Sequence, residues 1–322
     1  MKYIREYREG DRVSDIYLCK SKSSATTKNG KPYDNVVLQD KTGTLDAKIW
    51  DPHSAGIDEF EPLDYIEVYG EITSFAGALQ VNVKRVRKCR TEECNPADYL
   101  PSSEKDNDAM YAALLQYVES VENPYLRALL EAFFKKDEAF IVRFRKSSAA
   151  KAVHHGFIGG LLEHTLSVTN LCNYYCKAYP LLHRDLLLTA ALCHDIGKTR
   201  ELSVFPENDY TDEGNFLGHI VIGSEMISEK IAALDAEGSA YQGKFPAFLA
   251  AELKHCILSH HGEYEFGSPK KPALMEAVAL NFADNTDAKM ETLKEIFTGN
   301  AQTGWLGYQR LLESNLIATR DA

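Results

Sequence analysis

The sequence predicts a multidomain protein in which an N-terminal all-β barrel is followed by an all-α helical bundle. Its 322 residues exceed the usual size of one domain, and 44% of them are hydrophobic, which suffices for a sizeable core. Apolar residues alternate with polar ones, as in strands, in the first part of the chain. After a polar segment they are spaced by three and four, as in helices. We therefore expect residues 1–92 to form the barrel, 93–107 a linker and 108–322 the helical domain.

Five short runs rich in Val, Ile and Tyr make up the predicted barrel. Turn residues separate them, among them Asn29-Gly30 and Ala76-Gly77. Five strands of this length favour a closed barrel of the OB type, which often binds single-stranded nucleic acid through basic and aromatic side chains. Tyr33 and Trp50 are candidate platforms on which bases would stack. OB barrels also bind proteins and sugars, so the pattern by itself leaves the ligand open.

Two further segments complete the domain plan. The predicted linker is polar and contains Pro96 and Pro101, which is typical of a connection between domains. The C-terminal segment GWLGYQRLLESNL carries Trp305, Tyr308 and Leu311 at helical spacing. We expect a helix there, which would cap the core or contact a partner.

The composition argues against several protein classes. No stretch approaches the ~20 apolar residues that span a bilayer, and the charged N-terminus lacks the apolar core of a signal peptide. Seven scattered cysteines without a CxxC pair predict free thiols. We expect a cytoplasmic protein with no membrane partner. The net charge is −11, but acidic domains remain compatible with phosphate chemistry when bound cations supply positive charge.

Histidine and aspartate residues recur at helix ends and within amphipathic helices of the second domain. Imidazole and carboxylate groups together suit Mn, Fe, Co, Ni or Zn. Because the apolar faces of these helices must converge on one core, their polar residues can meet in a single site. The candidate ligands are His164, His194, Asp195, His219, His260, His261 and Asp284.

We expect this site to hold two metal ions bridged by the carboxylate of Asp195. Two ions ~3.5–4 Å apart can hold a bridging hydroxide and clamp a phosphoryl oxygen, which favours a phosphohydrolase. The first ion would be held by His164, His194 and Asp284, and the second by His219 and His260, with His261 replacing or supplementing His260.

The order of these residues resembles the HD-domain superfamily of metal-dependent phosphohydrolases, and HDIGK at 194–198 is a common form of its central motif. With the barrel and linker, the segments HHGFIGGLLEHT, GHIVIGSEM, LSHHGEYEFGSPK and ADNTDAKM resemble the YhaM-type 3′–5′ exoribonucleases over nearly the whole chain. That resemblance implies an exonuclease on single-stranded RNA, with some activity on DNA, that releases nucleoside 5′-monophosphates. It also implies manganese or cobalt as the supporting ion.

The resemblance further implies that Lys198 of HDIGK approaches the substrate phosphate, so that Asp195 and Lys198 are the candidate catalytic residues. Basic residues just before His164 could line the path of the phosphates, or each could be a solvated side chain. These candidates are Arg145, Lys151, His154 and His155.

Three other functions compete with this interpretation. Another HD reaction, on a cyclic dinucleotide or a nucleotide, is disfavoured by the barrel and by EFGSPK in place of a GYP element. A di-iron oxygenase could use the same ligand types. A non-enzymatic nucleic-acid-binding protein is disfavoured by the intact ligand set. The sequence leaves open the native metal, the preference for RNA or DNA, and the oligomeric state.

Overall fold

The computed structural model describes residues 2–27, 29–75, 77–95, 98–103, 105–151, 155–299, 304–309 and 312–319. The chain divides into two compact units. The first comprises Met1–Glu104 with Ser203–Asp209, and the second comprises Lys105–Leu202 with Tyr210–Ala322. The predicted linker boundaries at residues 93 and 107 stay a prediction.

Within the described part of the first unit, five strands close a barrel in the order β1-β2-β3-β5-β4. Neighbouring strands are antiparallel except β3 and β5, which are parallel, and β4 pairs with β1 to complete the closure. This architecture confirms the predicted OB-type barrel. The strands are β1 Arg12–Thr26, β2 Pro32–Asp40, β3 Gly43–Ile49, β4 Tyr65–Phe75 and β5 Ala78–Lys88.

The alternating pattern of the strands produces the barrel core. In β2 the side chains of Val36 and Leu38 are buried in a cluster that also contains Tyr17 and Val68. Residues between them along each strand face the outside of the barrel, because successive side chains of a strand point to opposite faces. The hydroxyls of Tyr7 and Tyr17 lie 2.8 Å apart, so this polar pair is satisfied inside the apolar core.

The described part of the second unit is mainly helical, which confirms the predicted helical bundle. Side-chain caps begin several helices, as Asp106 does for α1 and Asn123 for α2. The helices are α1 Asn107–Ser120, α2 Pro124–Glu131, α3 Glu138–Lys146, α4 Gly160–Ala178, α5 Arg184–Cys193, α6 Lys198–Glu201, α7 Asp212–Glu237, α8 Ala247–Ser259 and α9 Met275–Gly299.

One apolar core holds these helices together. Leu161 of α4, Leu187 of α5, Ile257 of α8 and Leu280 of α9 are fully buried in it. Helix α4 packs against α5 and α9, and α8 packs against α7 and α9. This packing directs the polar residues of five separate chain segments toward one point, which is the candidate site. None of the helices in the described residues is long and apolar enough to cross a membrane.

The C-terminal segment differs from the helix that the sequence predicts. Trp305–Gln309 and Ser314–Ile317 form strands β6 and β7 of an antiparallel hairpin. The spacing of Trp305 and Tyr308 imitates a helical face, but Gly304 and Gly307 have positive φ angles of 118° and 80°, which a helix does not allow. Leu311 lies outside the described residues.

Candidate metal centre

The carboxylate of Asp195 lies at the centre of the predicted ligand set. Its Oδ2 atom is 3.3 Å from Nε2 of His194 and 3.4 Å from Nε2 of His164. Nε2 of His164 is also 3.1 Å from Oδ1 of Asp284 and 3.2 Å from Nε2 of His194. Two imidazole nitrogens and two carboxylates therefore meet on this side of Asp195, and we call them the His164 half of the centre.

The other oxygen of Asp195 faces a second group of histidines. Oδ1 of Asp195 is 3.5 Å from Nε2 of His219 and 3.7 Å from Nε2 of His260. Ring nitrogens of His219, His260 and His261 all lie within 4.8 Å of one another. We call these three residues the His219 half of the centre, and one carboxylate thus has an oxygen facing each half.

Every predicted ligand histidine is held through its Nδ1 atom. Because each partner oxygen belongs to a carbonyl or carboxylate, it accepts the hydrogen bond, so Nδ1 carries a proton and Nε2 is the ring atom that can ligate a metal ion. The Nδ1 distances are 2.7 Å from His164 to Asp287, 2.8 Å from His194 to the Ala191 carbonyl, 3.0 Å from His219 to Glu201, 2.7 Å from His260 to the Ile257 carbonyl and 2.8 Å from His261 to the Phe266 carbonyl.

Three atoms of the centre, Oδ1 of Asp195, Nε2 of His219 and Nε2 of His260, are buried without a hydrogen-bond partner or a cation among the described residues. Oδ2 of Asp195 is likewise buried and accepts no hydrogen bond, although it forms an ion pair with Lys198. Buried polar atoms are normally paired, because an unmet hydrogen bond costs free energy. Three lone-pair donors that converge and lack a partner have the character of a metal site, so the residues present fit bound metal ions.

The electrostatics keep Asp195 ionised. Burial raises the pKa of its carboxyl, but the neighbouring charges of Lys198 and His194 outweigh burial and hold the pKa well below its usual range. Nζ of Lys198 lies 2.7 Å from Oδ2 of Asp195. Burial lowers the pKa of Lys198, yet Asp195 raises the pKa above its ordinary value. The pair is therefore a carboxylate and an ammonium at neutral pH.

His164 differs in protonation from His260 and His261. Burial lowers the pKa of His164, but hydrogen bonds with Asp284 and Asp287 outweigh it and raise the pKa to about 9. For His260 and His261, burial lowers the pKa, and the charge of a neighbouring histidine lowers it further. In the absence of metal, His164 is thus protonated at neutral pH, whereas His260 and His261 are neutral.

Asp287 is an important residue that the sequence prediction missed. Its carboxylate accepts hydrogen bonds from His164 at 2.7 Å, from Nε2 of His155 at 3.0 Å and from the hydroxyl of Ser167. Asp287 follows Asp284 by three residues on α9, so both lie on one helix face. That spacing was the available signal.

Glu201 holds His219 as Asp287 holds His164, and the sequence prediction missed it as well. Its Oε1 atom accepts from the backbone N–H of His219 at 2.9 Å and from Nδ1 of the same residue at 3.0 Å. Helix α7 is kinked at Gly218, which has φ 70° and ψ 156°, so His219 begins the second part of the helix. No local pattern links Glu201 to His219, since the contact depends on this kink.

Two glycine positions allow backbones to approach closely around the centre. A Cβ atom on Gly197 of HDIGK would lie 2.0 Å from the carbonyl oxygen of His219, so a side chain there would push α7 away. A Cβ on Gly160 would lie 2.0 Å from the carbonyl oxygen of His155, and Gly159 has a positive φ of 82°. The chain therefore enters α4 through a tight turn.

A cavity of about 330 Å³ opens over the centre. Its polar lining includes His164, Lys198 and Asp284, and its apolar lining includes Ala149 and Phe266. The volume lies at the lower end of the ~300–1,000 Å³ range of small-molecule sites. A site with metal-ligating residues and a lysine suits hydrolysis of a phosphate ester.

Comparisons with known proteins agree with this chemistry. The HD domain family matches residues 161–289. The 3′–5′ exoribonuclease YhaM of Bacillus subtilis (strain 168) is 34% identical over 293 residues, which cover 91% of this chain and 90% of that protein. The 3′–5′ exoribonuclease YhaM of Geobacillus sp. (strain WCH70) is also 34% identical over 293 residues, which cover 91% of this chain and 87% of that protein.

This chain belongs to the YhaM 3′–5′ exoribonuclease family. The family resemblance that the motifs indicated is thereby confirmed, and the chain is a hydrolase with a metal-dependent HD domain. Among solved structures, the second OB-fold domain of replication protein A from Methanococcus maripaludis is 18% identical, covering 27% of this chain and 92% of that chain with a TM-score of 0.21.

The residues predicted to line the phosphate path of this YhaM family member have varied surroundings. Arg145 donates to Asn107 at 2.8 Å, pairs with Asp108 and lies over the ring of Tyr111. Lys151 lies 5.7 Å from the ring centroid of Tyr210. His155 is buried against Asp287, and His154 lies outside the described residues. Lys198 lines the cavity of the metal centre.

The predicted stacking residues of the barrel lie next to each other. The ring centroids of Tyr33 and Trp50 are 5.2 Å apart, and Trp50 is 49% exposed. Tyr33 is half-buried in β2 and Trp50 directly follows β3, and aromatic side chains of this kind can offer a face to a nucleobase. Their role in binding stays a prediction.

Proposed function

We propose that this chain is a 3′–5′ exoribonuclease that degrades single-stranded RNA, with single-stranded DNA as a second substrate, by two-metal hydrolysis. The observation that carries the proposal is the carboxylate of Asp195, which has one oxygen facing each half of the centre. Names of the relatives support the direction and the substrate, since the YhaM proteins of two bacteria are called 3′–5′ exoribonucleases.

The ligand assignment is part of the proposal. Two divalent ions, with manganese preferred and cobalt, iron, nickel or zinc compatible, would supply an activated water and neutralise charge on the phosphoryl group. Asp195 would bridge them. The first ion would be held by His164, His194 and Asp284, and the second by His219, His260 and His261.

The other residues bind and orient the substrate. The ammonium of Lys198 lines the cavity and would stabilise the negative charge that develops on the phosphate. Asp287 and Glu201 keep His164 and His219 in the tautomer that ligates through Nε2. Water would attack the phosphorus of the terminal phosphodiester, and the bond from phosphorus to the 3′ oxygen of the penultimate nucleotide would break. This would release a nucleoside 5′-monophosphate and leave a 3′-hydroxyl on the shortened chain. Tyr33 and Trp50 of the barrel would stack on upstream bases.

A time course on 5′-labelled single-stranded RNA tests the proposal. With manganese, we expect a ladder that shortens from the 3′ end, and nucleoside 5′-monophosphates as products. Asp195→Ala should abolish the ladder, because it removes the group shared by both halves. A cyclic dinucleotide serves as the control substrate and should remain intact.

Two results would contradict the proposal. One is RNA that stays intact with manganese, cobalt, iron, nickel and zinc alike. The other is manganese-dependent degradation that persists in Asp195→Ala. Cleavage of the cyclic dinucleotide without cleavage of RNA would instead identify a different HD phosphodiesterase.

A further inference from the structure

Phe266 is an exposed aromatic residue that neither the core nor the ligand set accounts for. It lines the cavity over the metal centre, and 61% of it is exposed. The polar residues of the same cavity are far less accessible, since His164 is 3% exposed. A residue that lines a cavity and is itself exposed lies at its mouth, so the phenyl ring stands where a substrate enters.

The backbone of Phe266 is fixed next to the ligands. Its carbonyl oxygen accepts from Nδ1 of His261 at 2.8 Å, and its N–H donates to the carbonyl of Glu263 at 3.1 Å. The N–H of Gly267 donates to the carbonyl of Tyr264 at 3.0 Å, which closes the turn. The ring is therefore carried by a hydrogen-bonded turn attached to the His219 half, rather than by a free loop.

The lining of the cavity contains two kinds of surface that would suit a nucleotide. Lys198 and Asp284 belong to the metal centre, where phosphate chemistry would occur, and Ala149, Ala288 and Phe266 supply apolar surface. A nucleotide likewise carries its charge on the phosphate and a flat aromatic surface on the base. With the phosphate at Lys198, the base would reach an aromatic ring at the mouth.

We propose that Phe266 stacks on the 3′-terminal nucleobase of the substrate and so positions the terminal phosphodiester over the metal centre. This inference rests on the proposed exonuclease function. Stacking is tolerant of sequence, because every base has a π-face. An enzyme that removes successive nucleotides of any sequence gains from such a contact, which hydrogen bonds to particular base edges would not supply.

The test compares Phe266→Ala with Tyr264→Ala on two RNAs. Tyr264 is the matched control, because it is 62% exposed in the same turn and is not part of the cavity lining. One RNA ends in an ordinary nucleotide, and the other is identical except that its 3′-terminal nucleotide is abasic. The measurement is kcat/KM for release of the first nucleotide, with manganese binding followed by titration calorimetry.

We expect Phe266→Ala to lower kcat/KM on the ordinary RNA about tenfold, mainly through KM, for all four terminal bases. Phe266→Trp should restore the value. On the abasic RNA, wild type and Phe266→Ala should have equal kcat/KM, because the stacking partner is absent. Manganese affinity should be unchanged, since the carbonyl that holds His261 remains. Tyr264→Ala should match wild type on both RNAs.

The inference is overturned if Phe266→Ala equals wild type on the ordinary RNA. It is also overturned if Phe266→Ala lowers kcat/KM by the same factor on the abasic RNA, because the effect of the ring would then not depend on a terminal base. Wild-type degradation in either case shows that the exonuclease proposal stands while the stacking role fails. If wild type degrades neither RNA, the exonuclease proposal and the stacking role both fail.

Discussion

The two halves of the metal centre share Asp195 but differ in charge. In the His164 half, two carboxylates of α9 surround one histidine, since Asp284 approaches Nε2 of His164 and Asp287 holds its Nδ1. The His219 half consists of three imidazoles, of which one is held by Glu201 and two by backbone carbonyls. The first half therefore contains carboxylates, and the second offers imidazole nitrogens as donors.

Because of this difference, the two ions would meet ligands in different protonation states. An ion in the His164 half must displace the proton of a histidine whose pKa is raised to about 9. An ion in the His219 half meets His260 and His261, whose lowered pKa values leave their lone pairs available at neutral pH. We therefore expect metal binding to release a proton from His164 but not from His260 or His261.

The largest expected effect comes from replacing Lys198. Its Nζ atom lies 2.7 Å from Oδ2 of Asp195, the carboxylate oxygen that faces the His164 half. Lys198→Ala should lower kcat about a hundredfold, because the positive charge near the phosphate is lost. The number of bound manganese ions should not fall, since the lysine competes with metal for Asp195. Steady-state kinetics and metal analysis of the purified variant measure both.

Arg200→Ala is the matched control for Lys198→Ala. Arg200 lies in the same motif region but pairs with Glu213 and Glu229. Its loss should leave kcat close to the wild-type value. A Lys198→Ala enzyme with unchanged kcat, or one that has lost its metal, would show that the lysine only balances the charge of Asp195.

Substitutions of the two carboxylates that hold histidines, Asp287 and Glu201, test whether the two halves bind metal independently. Asp287→Asn should weaken manganese binding in the His164 half about 10–100-fold, and Glu201→Gln should do the same in the His219 half. Each variant should retain one tight ion, which calorimetric titration would detect as the loss of one binding event. If either substitution weakened both events equally, the halves would not be independent.

The smallest expected effect is the release of about one proton when metal enters the His164 half at pH 7.5. The folded pKa of His164, about 9, exceeds the ordinary 6.5. Protonated His164 therefore stabilises the metal-free fold fully below about pH 6.5, and this contribution is lost as the pH rises through about 9. Manganese affinity of this half should accordingly increase with pH up to about 9.

Calorimetry in two buffers of different ionisation enthalpy measures the proton release. Asp287→Asn should reduce it, because the variant removes the negative charge of one of the two carboxylates that raise the pKa of His164. If wild type and Asp287→Asn released the same number of protons on metal binding, the released proton would not come from His164.

Sequence patterns predicted most of the fold but only part of the site. Alternating runs such as β2 specify strands because one face of the barrel must be apolar, and i, i+3, i+4 spacing specifies helices for the same reason. The C-terminal hairpin was missed because Trp305 and Tyr308 have helical spacing in a segment too short to show a period. Asp287 and Glu201 were missed because a carboxylate that holds a histidine has no fixed distance from it in the sequence.

The sequence was enough to identify the chemical groups of the centre: imidazoles and carboxylates on separate helices, with glycine where backbones approach. Their arrangement depends on how the helices pack. The tertiary structure placed Oδ2 of Asp195 toward His164 and Oδ1 toward His219, and it left Phe266 at the mouth of the cavity. The physical reason is that residues as distant as His164 and Asp287 meet only when helix packing buries their apolar faces, and the direction of each side chain follows from that packing.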